Sequence, residues 1–253
     1  MPNALVTGGA KRLGRAMALY LAQRGYDVAI HFAQSEEAAE ALARQIRQIG
    51  RKAGCIRADL LAEDALAPLI PRASEALGGP LSVLVNNASI FEHDSIASAT
   101  RESWDRHMMT NLRAPFVLTQ AFAAQCPAPV NDEAGEPVAQ GLIVNMIDQK
   151  MRNLTPDHMS YSIAKMGLWG FTRMAAQELG PLARVNAIGP GPTLQAHDQR
   201  AEDYAESRRR TVLGRGANLS DITAALGYFL DAPAVTGQLL CIDGGQHLSW
   251  RAD

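Results

Sequence analysis

Short apolar runs alternate along the chain with longer stretches of helical period. Runs at residues 4–7, 28–32, 54–58, 83–86, 142–147, 184–188 and 239–242 read as strands. Several are apolar throughout, the pattern of strands covered on both faces. Between the second and third runs, Ala38, Ala39, Leu42, Ala43, Ile46 and Ile49 recur at helical spacing and make an inward stripe over residues 36–49. Ser35 is placed to cap that helix, the acidic first turn suits its positive end, and Gly50 can end it. Gly25 closes a helix that begins near Gly14, residues 104–125 form another, and Gly180-Pro181 stops a long one starting around Ser160. This alternation predicts repeated βαβ units: an α/β fold with a doubly wound parallel sheet of about seven strands and helices on both faces.

Two segments break the rhythm. Residues 126–140 (CPAPVNDEAGEPVAQ) are rich in Pro and acid and read as an exposed loop. Residues 192–218 are polar and follow the carboxyl end of the sixth strand, where open α/β sheets bind ligands, so they read as a substrate lid. The Arg208-Arg209-Arg210 run within them reads as a solvated helix face. There is no internal repeat, and residues 1–253 are expected to form a single domain.

Composition narrows the function classes. Apolar residues make up 47% of the 253, enough for a substantial core, and the formal charge is only −2. That balance favours neither a nucleic-acid partner nor a membrane surface. No run reaches the ~18–20 apolar residues of a membrane span, and because Met1-Pro2-Asn3 passes directly into a strand, no secretory leader is expected. Cys55, Cys126 and Cys241 are odd in number and scattered, which suits free thiols in a reducing compartment. His31, His93, His107, His158, His197 and His247 lack paired ligand spacing, so no metal site is expected. A cytoplasmic protein acting on a small molecule fits these limits.

The candidate chemistry begins at the first strand–helix junction, Thr7-Gly8-Gly9-Ala10-Lys11-Arg12-Leu13-Gly14. Glycines there let backbone N–H groups approach a pyrophosphate at a positive helix terminus, as in the Rossmann fold. NAD-preferring Rossmann proteins place an acid at the end of the second strand. Here that strand ends His31-Phe32-Ala33-Gln34-Ser35, with no acid before Glu36. Lys11, Gln34 and Ser35 could cradle a 2′-phosphate instead, which favours NADPH. Further on, Tyr161 and Lys165 stand four residues apart on one helix face. A lysine ammonium near a phenol is expected to lower its pKa from about 10, tuning Tyr161 to exchange protons near neutral pH.

Placed in this order, the motifs resemble those of the short-chain dehydrogenase/reductase family over nearly the whole chain. Thr7–Gly14 looks like its TGxxxGxG turn, Asp59-Leu60 like its adenine-contacting pair, and Asn86-Asn87-Ala88 like its NNAG motif with Ser89 in place of glycine. Tyr161 and Lys165 match its YxxxK pair, which also holds the nicotinamide ribose. Asn111 matches the Asn that supports a proton-relay water. Gly189-Pro190-Gly191-Pro192-Thr193 resembles its nicotinamide-contacting PG motif, and Ile242-Asp243-Gly244-Gly245 its closing strand and turn. By this resemblance Gly8, Lys11, Arg12, Leu13, Gly14, His31, Gln34, Ser35, Asp59, Leu60, Asn87, Ala88, Tyr161, Lys165, Pro190 and Gly191 bind the cofactor.

Four departures are similar to pteridine reductases and to the bacterial dihydromonapterin (alternative dihydrofolate) reductases. Arg12 fills a glycine slot, where the resemblance implies contact with both pyrophosphate and pterin. Ser89 and Phe91 follow the Asn-Asn-Ala motif, and the phenylalanine stacks on the pterin in that subfamily. Asp148 stands thirteen residues before Tyr161, where ordinary members carry a serine that donates to a carbonyl oxygen. An ionised aspartate cannot donate and would repel a developing alkoxide, so a substrate presenting ring nitrogens fits better. The resemblance therefore implies an NADPH-dependent reductase of a pterin-type C=N bond, acting on dihydromonapterin, dihydrobiopterin or dihydrofolate. Asp148, Tyr161, Lys165 and Asn111 would be catalytic, and Arg12, Ser89, Phe91, Asp148 and Tyr161 would hold the substrate. Two alternatives stay open: a carbonyl reductase of a 3-oxoacyl thioester or small ketone, and a cofactor-sensing protein without turnover. The resemblance also implies a homotetramer, with apolar faces of residues 104–125 and 161–179 as interfaces.

Overall fold

Seven parallel strands form the central layer, and the computed structural model describes residues 1–196 and 199–248. In chain order the elements are β1 (Asn3–Val6), α1 (Arg12–Gln23), β2 (Asp27–Phe32), α2 (Glu36–Gln48), β3 (Ala53–Arg57), α3 (Glu63–Leu66), α4 (Leu69–Leu77) and β4 (Val83–Asn86). They continue with α5 (Arg101–Met108), α6 (Ala114–Gln125), β5 (Val130–Asn131), β6 (Pro137–Val138), β7 (Gly141–Met146), α7 (Met159–Leu179), β8 (Ala183–Pro190), α8 (Ala201–Arg209), α9 (Leu219–Asp231) and β9 (Leu239–Ile242). None of the helices in the described residues is long and apolar enough to cross a membrane.

The sheet order β3-β2-β1-β4-β7-β8-β9 makes a single-domain Rossmann architecture of the doubly wound type. The winding reverses between β1 and β4, and the crevice at their carboxyl ends is where such sheets bind ligands. Both faces are packed, which is why the strands read as unbroken apolar runs. Ala4, Val6, Val28, Ile30, Val83, Val85, Leu142 and Val144 face α1, α2 and α9. Their neighbours Leu5, Ala29, Leu84 and Ile143 face α4, α6 and α7. Gly25 and Gly50, just past α1 and α2, take φ of +90° and +83°, which L side chains resist. Ser35 does occupy the N-cap of α2, but its side chain makes no capping hydrogen bond.

Two stretches differ from the sequence reading. Residues 126–140 are exposed for the most part, yet they fold back as an antiparallel β5–β6 pair. Asp132 organises the reversal by accepting from the backbone N–H of Ala134 at 2.8 Å and of Glu136 at 2.9 Å. Residues 104–125 are not one helix: a π-helical turn, Met109–Arg113, separates α5 from α6. Such turns admit an extra residue and concentrate at functional sites. This one contains Asn111.

Candidate active site

The phosphate turn is held from three sides. Thr7 Oγ1 accepts the backbone N–H groups of Asn87 (2.9 Å) and Ala88 (3.0 Å), and Asn87 Nδ2 donates to the carbonyls of Thr7 (2.9 Å) and Gly8 (3.2 Å). These bonds tie β1 to β4 at the switch point. A Cβ on Gly14 would strike the Gly8 carbonyl oxygen and the Asn87 amide, so only glycine lets α1 start this close to the turn. The first turn of α1 has no side-chain cap at Lys11, which leaves its positive end for an external anion. Leu13 packs against the core beneath.

His31 lies under this turn, buried. Gly8 N donates to His31 Nδ1 at 3.0 Å, so the ring proton sits on Nε2, which donates to the Ala58 carbonyl at 3.1 Å. Burial pushes the imidazole down to about 4, which keeps it neutral. With both nitrogens engaged by backbone, His31 stands one layer below the surface a cofactor would touch.

Arg12 adopts φ +52°, a left-handed conformation in the slot where the family pattern has glycine. Its guanidinium donates to the carbonyls of Gln195 (2.9 Å) and Leu194 (3.2 Å), bridging the phosphate turn to the segment after β8. Lys11 and Gln34 are exposed on the adjoining rim and Ser35 is half-buried. Asp59 is exposed and accepts from Leu61 N at 3.0 Å, whereas Leu60 is buried in the core.

The groups expected to handle the proton meet between β7 and α7. Tyr161 Oη donates to Asp148 Oδ2 at 2.9 Å, and Asp148 Oδ1 accepts from Lys150 N at 2.8 Å. Lys165, 2% exposed, donates to the Met146 carbonyl at 2.7 Å, and its Nζ lies 5.8 Å from the centre of the Tyr161 ring. Burial holds the lysine down to about 8. The expected lowering of the Tyr161 pKa is reversed. Tyr161 is 5% exposed, and burial together with the facing Asp148 carboxylate pushes the phenol well above its usual value. Burial also raises Asp148, although the Lys150 amide and the Tyr161 hydroxyl pull it back. The phenol is thus a held proton, and the carboxyl beside it is the group nearer to titration.

The segment after β4 forms the opposite wall. Asn111 is fully buried, and its side chain fixes that wall: Oδ1 accepts from Ile90 N (2.9 Å) and Ser89 Oγ (3.1 Å), while Nδ2 donates to Ile90 O (2.8 Å). Phe91 follows, 49% exposed, with its ring edge-on to Tyr161 at 4.7 Å between centroids. Sequence reading missed the anchor of this wall. Asp94 accepts from Ser160 N at 3.0 Å and from the Ser160 hydroxyl, and its own carbonyl accepts from Met159 N at 3.2 Å. It therefore caps α7 from a distant loop. His107 completes the network, accepting Glu92 N on Nε2 at 3.2 Å and meeting Ser160 Oγ through Nδ1 at 2.7 Å. No local pattern announces these contacts; the one available cue was a polar Ser160 directly before Tyr161.

The segment 192–218, expected to form a lid, is organised around Arg208, contrary to a solvated reading of the whole arginine run. Its guanidinium donates to the carbonyls of Ala217 (2.6 Å), Pro192 (2.9 Å) and Gly216 (3.2 Å) and lies over Tyr204. Arg209 and Arg210 are exposed and pair with Glu206. Residues 197–198 of this segment, His197 included, lie outside the described residues. Pro190 ends β8, and Gly191 N donates to Ile242 O at 3.0 Å, close against Asp243.

The same architecture recurs in known proteins. The family described as Enoyl-(Acyl carrier protein) reductase matches residues 8–247. A 3-oxoacyl-[acyl-carrier-protein] reductase of Staphylococcus aureus is 29% identical, covering 97% of this chain and 98% of its own length. The crystal structure of the FolM alternative dihydrofolate reductase 1 of Brucella canis, complexed with NADP, has a TM-score of 0.92 at 39% identity, covering 99% of this chain and 96% of that one. A short-chain dehydrogenase of Burkholderia cenocepacia, in complex with NADP, has a TM-score of 0.86 at 32% identity and covers 97% of each chain. The chain belongs to the short-chain dehydrogenase/reductase family of oxidoreductases.

Proposed function

We propose that this protein is an NADPH-dependent reductase of a pterin-type C=N bond, taking a dihydropterin or dihydrofolate to its tetrahydro form. The observation that carries the reading is the 2.9 Å bond from Tyr161 Oη to Asp148 Oδ2. A hydroxyl donor facing a carbonyl substrate is replaced there by a carboxyl that accepts. Such a pair suits a ring that presents N–H donors and needs a proton at nitrogen.

The residues fit the cofactor. The uncapped start of α1, the Gly8–Gly14 contact and the lack of an acid at the end of β2 before Glu36 suit a pyrophosphate and a 2′-phosphate, with Lys11, Gln34 and Ser35 on the rim. When bound, NADPH supplies the hydride. Lys165 and the PG turn at Pro190-Gly191 would hold its nicotinamide end, and Asp59-Leu60 its adenine, the Leu60 side chain itself packing in the core; Asn87 and Ala88 would also contact the cofactor. Arg12, Ser89 and Phe91 would orient the flat heterocycle. Tyr161, or Asp148 in its protonated form, delivers the proton to the nitrogen beside the reduced carbon. Asn111 fixes the Ser89–Ile90 wall; by the family resemblance it would also support, with Lys165, the water relay that restores that proton. The relatives that resemble this chain include FolM alternative dihydrofolate reductases and 3-oxoacyl-[acyl-carrier-protein] reductases, so both substrate classes belong in the test. NADPH oxidation followed at its absorbance band with a dihydropterin, dihydrofolate, an oxoacyl thioester and a simple diketone separates them. Turnover confined to the oxoacyl thioester or the diketone overturns the pterin reading.

The assembly we propose is a homotetramer. Trp104 on α5, Phe116 on α6 and Ile163, Met166 and Met174 on α7 are large apolar side chains left exposed on this chain. Light scattering of the purified protein checks it, and a monomer at micromolar concentration contradicts it.

A further inference from the structure

His158 opens the catalytic helix in an unusual way. It occupies the N-cap position of α7 with φ +58° and ψ 52°, a left-handed backbone that residues with a Cβ rarely adopt. It makes no capping bond, because Asp94 has taken over the first amides of the helix. The imidazole is instead laid flat on Phe91, with ring centroids 4.1 Å apart and planes 11° from parallel. Its Nδ1 is buried and meets no hydrogen-bond partner among the described residues. Backbone strain and an orphaned buried nitrogen both oppose folding, and their coincidence three residues before Tyr161 marks a functional constraint.

The surroundings show what the constraint secures. Phe91 contacts His158 on one face and Tyr161 on its edge, at 81° between planes, yet remains 49% exposed. His93 closes the outer edge of the imidazole at 5.3 Å, and Lys150 Nζ stands 5.7 Å from the Phe91 centroid. Burial and the nearby Lys150 lower the His158 pKa, so the ring is a neutral aromatic at physiological pH. A phenyl ring on a loop would otherwise turn freely about its side-chain bonds; His158 against its face and Tyr161 against its edge restrict that rotation.

We propose that His158 is a specificity-determining positioning residue: its imidazole backs Phe91 and sets that ring as a fixed plate for a flat heteroaromatic substrate beside Tyr161. This rests on the reading of the substrate as a flat heterocycle. It predicts that His158 governs capture of an aromatic ring system and not the proton step, and that small non-aromatic carbonyl compounds are indifferent to it.

The test uses the full-length enzyme and His158→Asn, which tolerates the left-handed backbone but removes the ring that backs the Phe91 plate, with His158→Phe as the planar rescue. Two readouts are taken: steady-state NADPH kinetics with a dihydropterin, and equilibrium binding of pterin to the NADP⁺-loaded enzyme by its fluorescence. His158→Asn should raise KM and weaken pterin binding by roughly tenfold, with kcat within about threefold, and His158→Phe should restore most of both. Unchanged KM and pterin binding in His158→Asn, in an enzyme that reduces the dihydropterin, overturns the role of His158 and leaves the proposed reaction standing. A wild type that binds pterin but does not reduce a dihydropterin, with binding lost in His158→Asn, overturns the reaction and leaves the plate standing. A wild type that neither binds nor reduces overturns both.

Discussion

The phenolic hydrogen of Tyr161 is given to a carboxylate oxygen of Asp148 at 2.9 Å, so two groups that could each protonate a substrate share one bond. That bond makes their titrations interdependent. Desolvation raises the carboxyl, and the carboxylate in turn raises the phenol. Below the raised carboxyl pKa both groups carry protons, and above it only the phenol does. Dihydropterin reduction should therefore lose kcat/KM as pH rises through the raised carboxyl pKa. In Asp148→Asn that limb should vanish from the residual activity. A limb that persists unchanged in Asp148→Asn assigns it to another group.

Removing the phenolic oxygen tests the other half of the pair. Tyr161→Phe should cut kcat by about 10²- to 10⁴-fold, the range for loss of a general acid, with NADPH binding retained because the ring still fills its pocket. Stopped-flow single turnovers, combined with NADPH fluorescence titration, distinguish this from a binding defect.

Cofactor choice should follow the rim beside the phosphate turn. With no acid at the end of β2 before Glu36, kcat/KM for NADPH should exceed that for NADH. Lys11→Ala should reduce the preference by roughly tenfold, the worth of one charge-assisted contact to a 2′-phosphate. Equal efficiency with the two cofactors in the wild type contradicts the assignment.

Stability should depend on pH through His31. Its folded-state pKa, about 4, lies below the unfolded value near 6.5, so the folded protein resists protonation. The unfolded chain binds the extra proton between these values, and stability therefore falls as pH drops from about 6.5 toward about 4. His31 alone can account for about 3 kcal/mol of that loss. His107 is lowered too and acts in the same direction. In His31→Gln, where an amide keeps one donor and one acceptor, urea-unfolding midpoints measured across this range should show a shallower slope. An unaltered slope places the dependence elsewhere.

Much of the scaffold was legible because burial on both sheet faces leaves unbroken apolar runs. Residues 83–86 and 239–242 are strands as read, and the sixth strand merely continues to Pro190. Elements held by distant partners were not legible. Nothing in residues 104–125 marks the π turn, and Asn111 instead meets Ile90 and Ser89 across a 21- and 22-residue separation. Asp94 reaches Ser160 over 66 residues, and the period of α7 gives no hint of an external cap. Arg208 looked like part of a charged run, yet backbone carbonyls of three residues surround its guanidinium. The sign of the Tyr161 shift was missed for a related reason: sequence spacing shows Lys165 four residues away but not the desolvation, nor the Asp148 oxygen in contact.

The most direct test of the carboxyl at the reaction centre is a substrate-by-variant comparison of kcat/KM. Wild type and Asp148→Ser are each assayed with a dihydropterin and with an oxoacyl thioester, using NADPH throughout. The wild type should prefer the dihydropterin, and Asp148→Ser should lose roughly 10²-fold or more on it while losing nothing on the thioester. Dihydropterin kinetics unchanged by Asp148→Ser, or a wild type that reduces only the thioester, contradicts a pterin-reducing role for Asp148.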